Sequence, residues 1–172
     1  MTEQPALSIL FVCHGNICRS PLAEGIFRAV AAERGLSHLF RLDSAGTGGW
    51  HIGSAPDPRS VAIAARHGVD ITGQCARKVT ADDFRAFDLM LGMDSTNVEE
   101  LRRMAPEDAR QRVHLFLDYA GLGPRDVPDP YFGGPDGFAD VYRMIREASE
   151  SLLDRITERW STPASGQASS TI

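Results

Sequence analysis

Cysteine is scarce in this 172-residue chain. Its three residues are an odd number, which excludes a disulfide framework and points to a reducing compartment. No apolar run approaches the roughly 20 residues of a membrane helix, and no basic segment followed by an apolar stretch precedes the first motif. The sequence therefore predicts no membrane span and no secretory leader, and the expected location is the cytoplasm. Positive charge is not in excess either: a net charge of −5 disfavours broad attraction to nucleic acid or anionic membranes. Neither G-x-x-x-x-G-K-[ST] nor G-x-G-x-x-G occurs, which argues against a nucleotide-binding glycine loop. There are no internal repeats.

What is present is an alternation of strand-length apolar runs with helical patterns, as in a chain long enough to bury a core without staples. The predicted fold is α/β, a doubly wound, four-stranded parallel sheet with helices on both faces. Its strands are expected at Leu7–Cys13, Leu39–Ser44, Phe87–Gly92 and Val113–Leu117. Ser20-Pro21 reads as the N-cap and first position of a helix that ends at Gly35, and a second helix is expected over Pro58–His67. Thr80 and Asp83 are spaced as a capping box, and Asp94 to Met104 has helical character. Phe138, Val141, Tyr142, Ile145, Leu152 and Ile156 form the apolar stripe of a last, long helix. One domain is expected over 1–160. The tail 161–172, rich in Ser, Thr, Pro, Gly and Ala, has a disordered composition.

Chemistry concentrates in Cys13-His14-Gly15-Asn16-Ile17-Cys18-Arg19-Ser20. A strand, a tight loop and a helix N-terminus in succession turn backbone N–H groups inward, where the helix dipole adds partial positive charge for an anion. Gly15 would supply the positive φ that such a nest needs. Five residues separate Cys13 from Arg19, enough to wrap a tetrahedral phosphate, which the planar guanidinium then meets with two donors. The same cation and amides favour a thiolate, and the Ser20 hydroxyl beside them is placed to cap the helix or to donate to sulfur. A proton donor is offered by Asp129, which lies between Pro128 and Pro130 on a segment stiffened by both rings. Asp94, at the end of a strand, is placed either to orient Arg19 or to cap a helix.

Other readings of these residues are weaker. Cys13, His14 and Cys18 lack the spacing and the second ligand pair of a zinc site. A buried cysteine at a strand end is commonly packing, and a lone D-P pair is ordinary turn chemistry.

The two segments together resemble the low-molecular-weight protein tyrosine phosphatase family from about Leu7 to Trp160. The specific motif is V-C-x-G-N-I-C-R-S-P, with further likeness in Asp43-Ser44-Ala45-Gly46-Thr47, Trp50-His51-Ile52-Gly53, Arg66-His67-Gly68, Phe87-Asp88, Met93-Asp94 and Asp129-Pro130-Tyr131. The resemblance implies a phosphocysteine mechanism without metal or cofactor. Cys13 would be the nucleophile, Arg19 the transition-state clamp and Asp129 the general acid and then base. His14, Gly15, Asn16, Ile17, Cys18 and Ser20 would bind phosphate. Asn16 and Ser44 would support the loop, and Trp50, Tyr131 and Phe132 would wall an aromatic slot. It also implies a phosphotyrosine-containing protein as substrate, phosphate or vanadate as inhibitor, and a monomer.

Gln74, where many relatives have histidine, is expected to donate to Asn16. Relatives acting on phosphoarginine tend to have a smaller polar residue at the position of Ile17, which favours tyrosine. Arsenate reductases share the loop but need resolving cysteines, and only Cys75 is available downstream. A phosphate-dependent binding module would have no use for a nucleophile and acid together. Cys18 is near enough in sequence to bridge an oxidised Cys13, or it packs beneath the loop.

Overall fold

The first apolar run forms β1, Leu7–Cys13, and its pleat divides the core. Ile9, Phe11 and Cys13 face one apolar cluster while Leu10 and Val12 face the other. That two-sided burial is what a near-continuous apolar strand requires. In this computed structural model, which describes residues 6–131, 133 and 135–161, β1 is central in an all-parallel sheet of order β2-β1-β3-β4. The other strands are β2 (Phe40–Gly46), β3 (Leu89–Gly92) and β4 (Val113–Leu115).

Helices α1 (Arg19–Glu33), α2 (Pro58–Arg66) and α6 (Pro135–Ser161) contribute to the cluster on one face. Helices α3 (Asp83–Ala86) and α4 (Ser95–Met104) contribute to the cluster on the other, and α5 (Phe116–Tyr119) follows β4 directly. The six apolar residues expected along the last helix are all buried.

Element boundaries depart from the sequence expectation at several points. β2 starts one residue later and runs on to Gly46, where it is bridged by Lys78. Phe87 and Asp88 precede β3, and Phe116-Leu117 turns helical. α2 ends at Arg66, and α6 includes Ser161. The expectation for the rest of the tail lies outside the described residues.

Helix α1 begins at Arg19 with Cys18 at its N-cap and no capping side chain, so Ser20 lies inside the first turn and is not the cap. The Thr80–Asp83 box is only half formed. Asp83 Oδ2 accepts the Thr80 N–H at 2.8 Å, but Thr80 Oγ1 also donates to it, and the helix starts at Asp83 itself.

The strand order reverses around β1, so its carboxyl end is a topological switch point where ligands bind in such sheets. Backbone bonds carry the distant segments there. Met93 N–H donates to Val12 O at 2.9 Å and Val127 N–H to Met93 O at 2.8 Å, which brings Asp94 and the Pro128-Asp129-Pro130 segment beside the end of β1.

Candidate active site

The loop from Cys13 to Ser20 is held open by one residue in the left-handed region. That residue is Asn16, with φ of 58°, and Gly15 does not have positive φ as expected. The lack of a side chain at Gly15 leaves room for the His51 ring, which a Cβ there would approach to 3.0 Å at Cδ2. Asparagine tolerates the left-handed conformation better than most residues, and three hydrogen bonds fix it. Asn16 Nδ2 donates to Ser20 Oγ at 2.8 Å and to Ser44 Oγ at 3.0 Å, and Oδ1 accepts the Arg77 N–H at 2.9 Å. The expected Asn16–Ser44 pair is present. Gln74 does not reach Asn16 as expected. Its Oε1 accepts from Ser44 Oγ at 3.3 Å and its Nε2 donates to Pro21 O at 3.0 Å, so it supports the loop one residue removed.

Cys13 ends β1 with Sγ 3.1 Å from Ser20 Oγ, both groups buried. Across the loop, Arg19 is almost completely enclosed, and its Nη1 donates to Asp94 Oδ2 at 2.7 Å and to Val127 O at 3.0 Å. Burial opposes the guanidinium charge, but Cys13, Asp94 and Asp129 outweigh it, and the pKa of Arg19 is raised. Asp94 fills both roles left open by the sequence, since its other oxygen accepts the Asn97 N–H at 2.8 Å and caps α4.

Asp129 lies 3.7 Å from Arg19 Nη2, with its carboxyl about half exposed at 48%. Tyr131 N–H donates to Asp129 Oδ1 at 3.0 Å, which fixes the carboxyl's orientation. Cys13, Arg19 and Asp129 thus line a single cavity of about 200 Å³, together with backbone and side chains of the loop and the rings of Trp50 and Tyr131. Trp50 is 72% exposed but not unsupported: its ring lies over Gly48, where a Cβ would stand 1.8 Å from Cζ3, and 4.6 Å from the His14 ring centre. Phe132, expected as a third wall, lies outside the described residues.

Cys13 and Cys18 are both free and buried, and Cys75 is exposed. Burial, followed by the nearby Asp57 carboxylate, pushes the Cys18 thiol up to about 12. Among the described residues, no group of three or more His, Cys, Asp or Glu side chains is arranged to hold a metal ion, and no helix is long and apolar enough to cross a membrane.

The low molecular weight phosphotyrosine protein phosphatase family matches residues 8–162. The chain belongs to that family. It is 43% identical over 152 residues to the low molecular weight phosphotyrosine protein phosphatase of Schizosaccharomyces pombe, covering 87% of this chain and 97% of that protein. It is 46% identical over 156 residues to the low molecular weight protein-tyrosine-phosphatase of Streptomyces coelicolor, covering 88% and 94%. Among solved structures, YfkJ from Bacillus subtilis superposes with a TM-score of 0.84 at 41% identity, covering 91% of this chain and 98% of that one. A protein tyrosine phosphatase from Entamoeba histolytica, with Hepes in its active site, gives 0.84 at 35% identity, covering 88% and 97%.

Several residues shape this site in ways the sequence did not show. Arg77 holds Asn16 through its backbone while its side chain bridges Asp43 at 3.0 Å and Asp83 at 3.0 Å. Asp57 braces the loop from the start of α2 through its N–H to Ile17 O, and its carboxylate holds Arg59. A segment folding back beneath a loop from 61 residues away leaves no periodic trace, because its pairing is a single bridge.

Proposed function

We propose that this protein-tyrosine phosphatase hydrolyses aryl phosphate monoesters, phosphotyrosine in proteins above all, through a phosphocysteine on Cys13. The supporting observation is the convergence of the Cys13 thiol, the Arg19 guanidinium and the Asp129 carboxyl on one cavity with aromatic rings in its lining. The phosphoryl group seats in the loop 14–18, and Arg19 and the amides stabilise its equatorial oxygens. Cys13 sulfur attacks phosphorus in line as the bond to the phenolic oxygen breaks, and protonated Asp129 gives that oxygen its proton. The resulting carboxylate then takes a proton from water, whose oxygen attacks phosphorus and releases Cys13 and inorganic phosphate. Ser20 Oγ, 3.1 Å from the sulfur, stabilises it as it departs.

The aromatic slot explains the preference for tyrosine. Phosphoserine is too short to reach the floor past Trp50 and Tyr131, and a flat ring stacks between them. Apolar Ile17 in the lining favours the aryl ester over phosphoarginine. The protein is proposed to act in the cytoplasm as a monomer, with inorganic phosphate and vanadate as competitive inhibitors.

Assays with phosphotyrosine and phosphoarginine peptides of the same sequence, alongside Cys13→Ser, test the reading. Tyrosine is expected to be dephosphorylated preferentially, and Cys13→Ser to lose turnover while still binding vanadate. Preferential release from arginine, or substantial turnover by Cys13→Ser, would overturn it.

A further inference from the structure

Asp57 and Arg59 lie outside the residues that carry the chemistry, yet they touch both segments that do. Asp57 N–H donates to Ile17 O at 2.8 Å, which joins the start of α2 to the phosphate loop. The Asp57 carboxylate grips Arg59 at two points, Nε to Oδ1 at 3.0 Å and Nη2 to Oδ2 at 2.9 Å. Oδ1 also accepts the Arg59 N–H at 2.8 Å, capping the helix and fixing the carboxylate's direction. Consistent with this grip, Arg59 holds the Asp57 carboxyl below the usual carboxylate range.

From that anchor the guanidinium reaches the other segment. Its carbon stands 5.5 Å from the Tyr131 ring centre and 4.5 Å from that of Phe138, and Nη1 donates to Gly133 O at 3.5 Å. The chain held in this way presents the Tyr131 N–H to Asp129. Val127 ties the same segment to Met93, just past β3, on the other side of Asp129. The Arg59 side chain therefore braces the Asp129 segment on its C-terminal side.

Neither helix capping nor surface charge requires this arrangement. Asp57 caps α2 without the Arg59 side chain, and a pair whose arginine is 41% exposed adds little to stability. A planar fork that meets a carboxylate edge-on while packing on an aromatic ring is specific to arginine.

We infer that Arg59, oriented by Asp57, is a positioning residue for proton donation: it couples the loop that holds the phosphate to the segment that carries Asp129, so that the leaving oxygen and the carboxyl meet at bonding distance. The inference rests on Asp129 as general acid. Acid catalysis matters most where the leaving oxygen is most basic, so loss of the coupling falls selectively on phenolic esters and spares activated ones.

The test compares kcat/KM for phenyl phosphate and for 2,4-dinitrophenyl phosphate in Arg59→Ala, Arg59→Lys and Asp57→Asn, with Asp129→Ala as control. The ratio of the two constants is expected to shift about tenfold against phenyl phosphate in all three variants, while inhibition by inorganic phosphate changes by less than about twofold. Asp57→Asn keeps an acceptor for the cap and gives the answer where Arg59→Ala folds poorly. Full retention of the ratio by Arg59→Lys, or equal losses for both esters, would overturn the inference. A selective loss in Asp129→Ala without one in these variants refutes the role of Arg59 alone. No selective loss in Asp129→Ala refutes the acid assignment on which it rests.

Discussion

The guanidinium of Arg19 and the carboxylate of Asp94 meet through a single 2.7 Å hydrogen bond, Nη1 to Oδ2, while Oδ1 of the same carboxylate caps α4. One side chain thus sets the start of a helix and the direction of the cation that faces Cys13. Asp94→Asn keeps an oxygen for the cap but turns an amide toward a guanidinium that is 3% exposed, leaving a buried cation without the carboxylate it hydrogen-bonds and with only the more distant Asp129 beside it. We expect kcat/KM to fall by at least about tenfold and stability by about 2–3 kcal/mol. Asp94→Ala, which also loses the cap, should cost about 1 kcal/mol more. Urea unfolding and steady-state rates check both.

Asn16 separates backbone strain from side-chain bonding. Asn16→Gly accepts φ of 58° but loses the bonds to Ser20, Ser44 and the Arg77 N–H, whereas Asn16→Ala loses those bonds and strains the backbone as well. Both variants should bind inorganic phosphate more weakly. Alanine should be the less stable by about 1 kcal/mol, the reverse of the usual order of these two residues. Thermal unfolding with and without phosphate measures this, and an alanine variant as stable as the glycine one would show that the loop is not fixed at that angle.

Cys18 should make the fold sensitive to alkali. Its thiol is raised from 9.0 to about 12 in the folded protein, so the native state keeps a proton that the unfolded chain gives up. Below pH 9 both states hold the proton and nothing is lost. Between about 9 and about 12 the unfolded state alone ionises there, and stability falls by about 1.4 kcal/mol per pH unit from this group. Cys18→Ala removes that slope. The stability difference between wild type and Cys18→Ala, followed by urea unfolding from pH 8 to pH 10, should shift by about 1.4 kcal/mol in favour of the variant. A constant difference would contradict it.

Sequence was informative where a local rule decides the structure. β1 matches its expected span because an apolar run ending at the loop motif has one natural reading, and the stripe from Phe138 to Ile156 is helical because its period leaves no other face to bury. Phe116 was misplaced in a strand because short apolar runs do not distinguish strand from helix by period. Ser20 resembled a cap, but the helix starts one residue earlier and the Ser20 hydroxyl instead accepts from Asn16 and lies beside the Cys13 sulfur. Asp94 could be assigned to Arg19 or to α4, and the structure uses one oxygen for each. What Arg59 and Arg77 do was not legible because their roles arise from contacts across 74 and 61 residues, which no local pattern encodes.

The most direct measurement is acid quench of the enzyme during turnover of a phosphotyrosine peptide, followed by proteolysis and mass spectrometry. Phosphorus on the peptide containing Cys13, as an S-phosphocysteine absent from Cys13→Ser, is the predicted result. Phosphorus on another residue, or full turnover with no covalent phosphoenzyme at any quench time, would contradict nucleophilic attack by Cys13.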